Sequence, residues 1–371
     1  MSSKKLTLSD SKCAKLHVNK GIKHPSCPEL KVHGDIMKSS DQEKYLGEIL
    51  NSNTKPHVNI VERISKGYGI LANIKGLIND IPLGKRRIEI GLELRQTWLI
   101  NACLFNSEVW QKLTKKEMTD LSKIDHFLLR SILGAHPKVA TEMLHLETST
   151  LPFSYIISCR RLIYLKCILD RAENEVTKKV YFAMKMSPSK NDWSEMILED
   201  FKMIGEPYNE NLIVSMSQNQ YKLFIKKKIR NAAFQHLINL QQTHTKICNI
   251  NYTQLDNPQL YLLHPDFDNE MCSLLFNLRG RTVRNIKDNF HGMYSSMCCD
   301  MCGLSPQNQE HMLECQVLKQ HIPRDQSIRY EHIYGSVEQQ RNIVTLYAKL
   351  LKQHEILLNN LANRGSGNIC P

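Results

Sequence analysis

Hydrophobic residues recur with two different periods along this chain. Within the first fifty residues, the stretches 14–18 and 30–34 alternate apolar and polar positions, which is typical of half-buried strands. Lys20-Gly21 and His24-Pro25 lie between the two stretches and favour turns. We therefore predict a small antiparallel β element at the N-terminal end, too small to be a domain by itself.

The period becomes helical after Lys55-Pro56, and Pro82-Leu-Gly84 divides the pattern into two runs. A first helix and a second, long helix are predicted. Apolar residues mark the first at Val58, Val61, Ile64, Tyr68, Leu71 and Ile78, and the second at Ile88, Leu92, Leu99, Ala102, Val109 and Leu113.

Further helices follow with clearer ends. Thr114 and Glu117 form a capping-box pattern ahead of a third helix, which Gly134 and Pro137 should end. Pro152 precedes a fourth, and residues 188–265 predict shorter helices in a looser unit with linkers rich in Asn, Pro and Gln. A last amphipathic helix should follow Gly335. The apolar positions of the third, fourth and last helices are Met118, Leu121, Ile124, Leu128 and Ile132; Ile156, Cys159, Ile163 and Cys167; and Ile343, Leu346, Leu350, Leu357 and Leu361.

Composition and charge narrow the class of protein. The chain has 371 residues, of which 42% are hydrophobic, so it can form real cores. Its start has no apolar core of signal-peptide length, and its most apolar stretch is interrupted by Asn101. We expect an intracellular protein, cytoplasmic or nuclear, without a membrane partner. A net charge of +12 favours polyanions as partners.

Four residues near the C-terminal end have the spacing of a structural zinc site. Cys299, Cys302, His311 and Cys315 form the pattern Cys-x2-Cys-x8-His-x3-Cys. Two cysteines on a tight turn can supply one edge of a zinc tetrahedron, and Gly303 suits a turn that needs a positive φ. His311 and Cys315 are four residues apart, so on a short helix they share a face. Four protein ligands leave no water position, which predicts a structural rather than a catalytic Zn²⁺.

Two alternatives stay open for this cluster. Cys298 could replace Cys299 as a ligand with a longer spacer, and the cysteines could be scattered thiols in a Cys-rich loop. Disulfides are disfavoured, because thiols inside cells are kept reduced.

Basic residues concentrate in two places that predict contact with phosphates and stacking on unpaired bases. For the second of these places, residues 226–230, a solvated helix face is an equally good interpretation. The first place comprises Arg279, Arg281, Arg284 and Lys287, followed by the aromatic Phe290 and Tyr294; the second comprises Lys226, Lys227, Lys228 and Arg230.

Taken in order, these segments resemble the C-terminal half of the polyprotein of a non-LTR (LINE-type) retrotransposon, after the catalytic core of the reverse transcriptase. The resemblance spans nearly the whole chain, and the zinc spacing is part of it. It rests on the following segments: Ser11-Lys-Cys13 with "AKLHV"; "CPELKVHGDIMKSSDQEKYLGEIL", residues 27–50; "LRQTWLINACLFNSEVW", residues 94–110; and "LSKIDHFLLRSILGAHPKVATEMLHLETSTLPFSYIISCRR", residues 121–161.

The resemblance implies a palm remnant over residues 1–52, with Tyr45, Leu46 and Gly47 as a primer-grip-like turn. It also implies a thumb-like helical bundle over 53–187, a second helical and basic connecting region over 188–290, a CCHC zinc module over 291–320, and a C-terminal amphipathic helix with a frayed tail over 321–371. The fold class is therefore mainly α, with a short N-terminal hairpin-like β segment, a thumb-like bundle, a small zinc knuckle and a C-terminal helix.

The chain departs from the family where catalysis would occur. Reverse transcriptases hold two metal ions with palm carboxylates that include an Asp-Asp pair, and this sequence contains no Asp-Asp dipeptide. We expect no polymerisation by this chain alone. The favoured function is binding of RNA or DNA, mainly single-stranded, with Zn²⁺ as cofactor and a full-length reverse transcriptase as a further candidate partner. The alternatives are a zinc-stapled protein-interaction module and a non-functional remnant of a decayed element.

Overall fold

The N-terminal part of the protein is built from short strands. The computed structural model describes residues 14–16, 29–32, 35–45, 47–52, 57–80, 86–188, 191–284, 286–290, 293–294, 296–322 and 327–365. Among them the strands are β1 (Ala14–Leu16), β2 (Lys31–Val32), β3 (Asp35–Ile36), β4 (Lys38–Ser40), β5 (Gln42–Tyr45) and β6 (Glu48–Asn51).

These strands form three separate pairs. β5 and β6 make an antiparallel hairpin in which Tyr45 lies opposite Glu48, and β2 and β3 form a second antiparallel pair. β1 instead pairs in parallel with β4, with Ala14 opposite Lys38. The predicted small antiparallel element is therefore present in β2–β3 and β5–β6, whereas β1 pairs in parallel.

Helices make up most of the structure, which confirms the mainly α fold class with its N-terminal hairpin-like segment and C-terminal helix. In the described residues the α-helices are α1 (His57–Asp80), α2 (Arg87–Leu94), α3 (Ile100–Cys103), α4 (Lys115–Leu133), α5 (Thr141–Thr148), α6 (Phe153–Leu169), α7 (Val176–Met186), α8 (Trp193–Met203), α9 (Glu210–Ser215), α10 (Gln218–Gln242), α11 (Leu260–Leu263), α12 (Asn269–Arg279), α13 (Gln309–Glu314), α14 (Gln316–His321) and α15 (Val337–Gly365). Shorter 3-10 turns occupy Ser107–Val109, Lys287–Phe290 and Tyr330–Tyr334.

Helix α4 begins after Thr114 and ends before Gly134, as predicted. The Thr114 hydroxyl accepts a hydrogen bond from the Glu117 backbone N–H at 3.2 Å, and the Glu117 carboxylate accepts one from the Thr114 N–H at 2.7 Å. Gly134 ends the helix at φ +58°, a conformation that favours glycine. The predicted helices after Pro152 and Gly335 are also confirmed, as α6 and α15.

Two helix predictions were wrong. The long second helix stops at Cys103, and Asn106 adopts a left-handed conformation, which Asn tolerates better than most residues. The 188–265 region contains α10, a helix of 25 residues, rather than only short helices. Its Asn and Gln residues had suggested linkers, but apolar residues at a spacing of four give α10 a continuous buried stripe: Tyr221, Ile225, Ile229, Ala233 and Leu237.

A π-helical turn, Arg95–Leu99, joins α2 to α3. It carries the buried Arg95, whose Nε and Nη2 donate to the two carboxylate oxygens of Asp125 on α4 at 2.6 and 2.7 Å. The same guanidinium also donates to the Leu151 carbonyl at 2.9 Å. This bidentate ion pair fixes the π turn against α4 and the segment before α6.

One hydrophobic cluster connects the helices from Ile60 on α1 to Leu350 on α15. This cluster includes side chains from both sides of the domain boundaries predicted at 187/188 and 290/291. The division of the chain into domains therefore stays a prediction. The buried face of α1 differs from the predicted stripe, because Val61 and Tyr68 are 49% and 41% exposed. Arg63 and Gly67 occupy part of the buried stripe instead, so hydrophobicity alone misplaced the face.

Gly67 allows α1 to approach its neighbours closely. A Cβ at this position would lie 2.6 Å from the Cys103 sulfur and 2.9 Å from Ile124 Cδ1, whereas a Cβ at Gly69 would meet no atom within 4 Å. The two glycines of one helix therefore offer a matched test of packing against intrinsic helix propensity.

We predict that Gly67→Ala lowers the free energy of unfolding by about 1–3 kcal/mol through overpacking. Gly69→Ala should raise it by about 0.5–1 kcal/mol, because alanine favours the helix. Urea unfolding followed by circular dichroism measures both. Equal effects of the two substitutions would contradict the packing of α1 described here.

A buried polar network links α5 with the later helices. Glu147 is fully buried; its Oε1 accepts from Tyr252 Oη at 2.6 Å and from Arg279 Nε at 2.9 Å, and its Oε2 accepts from Tyr261 Oη at 2.8 Å. Arg279 Nη1 also donates to the Ile333 carbonyl at 3.0 Å. Burial, together with the Glu147 charge, raises the pKa of both tyrosines, so they remain donors.

Arg279→Met should cost about 3–5 kcal/mol of unfolding free energy, because it leaves the Glu147 charge buried and without its cation. Adding Glu147→Gln should recover part of that loss. The matched control is Arg341→Met, which removes an exposed ion pair with Asp266 and should change stability by less than about 1 kcal/mol. Chemical unfolding of the three variants measures these changes in unfolding free energy. Similar losses of stability in Arg279→Met and Arg341→Met would show that the buried network does not stabilise the fold as described.

Candidate metal centre

The predicted ligands meet at one point. The ligand atoms of Cys299, Cys302, His311 and Cys315 all lie within 4.8 Å of one another. Cys299 Sγ is 3.9 Å from Cys315 Sγ, and Cys302 Sγ is 3.3 Å from His311 Nε2. Tetrahedral Zn²⁺ with ordinary bond lengths separates two sulfurs by about 3.8 Å and a sulfur from a nitrogen by about 3.5 Å. The cluster therefore fits a four-coordinate metal ion.

A tight turn presents the first two cysteines. The Cys299 N–H donates to the Ser305 carbonyl, and the Gly303 N–H donates to the Cys299 carbonyl, both at 2.8 Å. Gly303 has φ +67°, as its position after the cysteine pair predicted. The turn thus holds Cys299 and Cys302 on the same side.

Helix α13 presents the other two ligands. Asn308 caps it by accepting a hydrogen bond from the His311 N–H at 2.6 Å. The Cys315 N–H donates to the His311 carbonyl at 2.7 Å, which closes one helical turn and places both side chains on one face. Cys315 itself lies at the junction between α13 and α14.

The two edges of the cluster differ in environment. Cys299 and Cys315 are buried, and Cys302 and His311 are partly exposed. Burial raises the pKa of the Cys299 thiol to about 11. A backbone hydrogen bond from Leu304 lowers the pKa of Cys302, which favours the thiolate that a metal ion requires. Burial lowers the pKa of His311, which favours the neutral, ligating imidazole.

Cys298 is not one of the clustered ligands. It is exposed, and its backbone forms an isolated β-bridge with Pro306. Successive residues of an extended strand point to opposite sides, so Cys299 faces inward where Cys298 faces solvent. The structure therefore selects Cys299 over Cys298 as the candidate ligand.

Side chains around the cluster dock it onto α15. Gln309 is fully buried; its side-chain oxygen accepts from Tyr330 Oη at 2.5 Å, and its carbonyl accepts from Tyr347 Oη at 2.6 Å. Gln307 Nε2 lies 3.3 Å from Nε2 of the buried His354. No periodic signal marks the two glutamines, whereas His354 stands four residues after Leu350 in the apolar stripe of α15 and was detectable there.

The basic run before the cluster is largely engaged inside the protein. The prediction that Arg279 contacts nucleic acid is corrected, because its side chain is 4% exposed and paired with Glu147. Arg281 pairs with Glu310 at 2.6 Å, and Lys287, 11% exposed, pairs with Asp300 at 2.5 Å. Arg284 and Tyr294 remain exposed.

The second basic group lies on α10, and it also contains both exposed and ion-paired residues. Lys226 and Lys227 are exposed. Lys228 forms an ion pair with Glu206, and Arg230 forms one with Asp256 at 3.3 Å. Only part of the predicted positive charge on this helix is therefore unmatched.

The turn predicted to be primer-grip-like, Tyr45 to Gly47, is hydrogen-bonded to helix α1. Gly47 has φ +87°, and its carbonyl accepts a hydrogen bond from Arg63 on α1. Arg63 also pairs with Glu48 at 3.0 Å and lies 4.5 Å above the Phe105 ring. Tyr45 is 64% exposed, and Leu46 lies outside the described residues.

No protein-family model, curated protein or solved structure matches this chain. Among the described residues, no helix has both the length and the apolar character needed to cross a membrane.

We predict that Cys302→Ser abolishes stoichiometric zinc binding and unfolds the turn around it, because three ligands no longer close the tetrahedron. Cys298→Ser removes the neighbouring thiol and should leave one zinc per chain. Metal content of the purified proteins, with circular dichroism before and after chelation, tests both. Retention of zinc by Cys302→Ser, or its loss in Cys298→Ser, would show that the ligand set is wrong.

Proposed function

We propose that this chain is a nucleic-acid-binding part of a non-LTR retrotransposon reverse transcriptase, in which one structural Zn²⁺ fixes the fold of the C-terminal module. The observation that carries the proposal is the convergence of Cys299, Cys302, His311 and Cys315 at distances that suit tetrahedral zinc. The net charge of +12 and the sequence resemblance support it. The ligand is RNA or DNA, mainly single-stranded, bound with little base specificity inside the cell.

The chain itself contributes binding rather than catalysis under this proposal. It has no Asp-Asp pair that could hold the two metal ions of polymerisation. The four clustered side chains would fill all four positions around a tetrahedral Zn²⁺, which supports a structural role for that ion. Polymerisation would need the catalytic core, so a full-length reverse transcriptase is a candidate partner.

A protein-interaction module is the second candidate, and the surface of α7 favours it. Val176 and Val180, one helical turn apart, are 74% and 46% exposed, and Met186 at the end of the helix is 86% exposed. Apolar side chains grouped on one exposed helix are typical of protein contact sites.

The test is binding of a fluorescein-labelled, unstructured single-stranded RNA by the zinc-loaded full chain, measured by fluorescence anisotropy. We expect the affinity to fall steeply between about 50 mM and about 300 mM salt, because each phosphate contact releases counterions. The Cys302→Ser protein should bind more weakly. Zinc-loaded protein that fails to bind RNA or single-stranded DNA at the lowest salt, yet forms a defined complex with another protein, would favour the second candidate.

A further inference from the structure

Three cations from distant parts of the chain meet where the helical body contacts the zinc module. Lys138 follows α4, Lys246 follows α10, and Arg284 precedes the 3-10 turn Lys287–Phe290. Lys138 is two residues from His136, Arg284 lines the same cleft as His136, and Lys246 binds the carbonyl next to Phe290, whose ring contacts His136. Burial lowers the pKa of His136, and the three cations lower it further. We name His136, Lys138, Lys246 and Arg284 the junction patch.

The junction patch is held in place by the residues just before the zinc cluster. The centroid of the Phe290 ring lies 4.9 Å from the centroid of the His136 ring. Lys138 Nζ lies 5.2 Å from the same Phe290 centroid. Lys246 Nζ donates to the Asn289 carbonyl at 2.7 Å. Lys138 therefore lies over the Phe290 ring, and Lys246 is fixed to the backbone of the preceding residue.

The positive charge of the junction patch is not matched by ion pairs. Within the described part of the chain, Lys138, Lys246 and Arg284 form none with a carboxylate, whereas the neighbouring Arg281 and Lys287 each form one. Burial lowers the pKa of Lys246; the Asp288 charge raises it, and Lys138 and Arg281 lower it further. Like charges held close together repel one another, and an anionic ligand would relieve that repulsion.

A concave surface adjoins the junction patch. A cleft of about 480 Å³ lies beside the patch and is lined by His136 and Arg284, with Arg87 and Glu270 also on its walls. The Nε of Arg87 is buried and has no hydrogen-bond partner among the described residues. Arg87 therefore adds a cation to the cleft and Glu270 adds a carboxylate, so the excess of positive charge lies at the junction patch itself.

An exposed aromatic ring completes the surface. Tyr294 is 39% exposed, and its hydroxyl donates to the Arg284 carbonyl at 3.4 Å. Lys287 Nζ lies 5.8 Å from the centroid of the same ring. A tyrosine ring fixed beside phosphate-binding cations can stack on a base only if that base is unpaired.

We propose that Lys138, Lys246 and Arg284 form one binding site for the phosphodiester backbone of a single-stranded nucleic acid, with Tyr294 stacking on a base. This inference rests on the proposed function and assigns it a place on the surface. Two hydrogen bonds connect the 3-10 turn Lys287–Phe290 to the segment that carries the candidate zinc ligands. Lys287 Nζ donates to the Cys298 carbonyl at 3.0 Å, and the Asp288 N–H donates to the Gln307 carbonyl at 3.1 Å.

The test compares charge removal inside and outside the junction patch, in the zinc-loaded full chain, with a fluorescein-labelled oligouridylate as probe. The triple variant Lys138→Gln, Lys246→Gln, Arg284→Gln should bind at least about tenfold more weakly at low salt, and the slope of log K against log salt should shrink by about 2, since each single-strand contact contributes about 0.7. The matched control is the triple variant Lys115→Gln, Lys116→Gln, Lys349→Gln, which removes three exposed charges from α4 and α15 and should change affinity by less than about threefold.

Two further variants separate stacking and folding from charge. Tyr294→Ala should weaken binding by a similar factor at low and at high salt, because stacking is not screened, while Tyr294→Phe should bind like the parent. Lys246→Arg keeps the charge and a donor for the Asn289 carbonyl, so it should retain affinity. Zinc content and circular dichroism of every variant must match the parent.

Each outcome has a distinct meaning. A triple variant that binds like the parent overturns this site and leaves the proposed function standing. Losses in the control variant as large as those in the junction-patch variant would show that only net charge matters, which also overturns the site. A parent protein that does not bind the probe at all overturns the site and the proposed function together.

Discussion

The buried pair of Glu147 and Arg279 connects parts of the chain that are far apart in sequence. Glu147 on α5 binds a guanidinium from α12 and hydroxyls from Tyr252 and Tyr261, and the same guanidinium binds the carbonyl of Ile333. Since Arg279 is the last residue of α12, the pair sets where the chain leaves the helical body for the zinc module. A buried ion pair adds little net stability over an apolar alternative, but its loss leaves a charge without a partner. Its main effect is to specify one arrangement of these helices.

The sequence predicted those features that short segments decide. The capping box of Thr114 and Glu117, the glycine that ends α4 and the spacing of the four zinc ligands each involve residues within a few turns of one another, and the structure contains all of them. Features decided by distant contacts were not predictable in this way. The parallel pairing of β1 with β4 is one example, and the burial of Arg279, which reads as part of a basic run, is another. The choice between Cys298 and Cys299 is a third example, because it depends on which of the two is buried against the other ligands.

The candidate metal ligands and the polar contacts with α15 belong to the same short module. The turn around Gly303 and helix α13 supply the ligands, while Gln309, Tyr330 and Tyr347 hold the module against the C-terminal helix. The metal site is therefore joined to the helical body and is not an independent knuckle on a flexible tether. Under the proposed function, this rigid attachment keeps Arg284 and Tyr294 beside Lys138 and Lys246, which belong to other segments of the chain.

The π-helical turn at Arg95–Leu99 determines which changes of chain length this region can accept. A π turn contains one residue more than an α-helical turn, and each residue of a helix rotates the following side chains by about 100°. The extra residue lets α2 place Gly91 against Ile132 while α3 places Cys103 against α1. Deleting one residue here would restore regular α-helical hydrogen bonding and yet rotate one of these two faces out of the core. Among related sequences, insertions and deletions should therefore be excluded between residues 91 and 103, although substitutions on the exposed side of the same helices are tolerated.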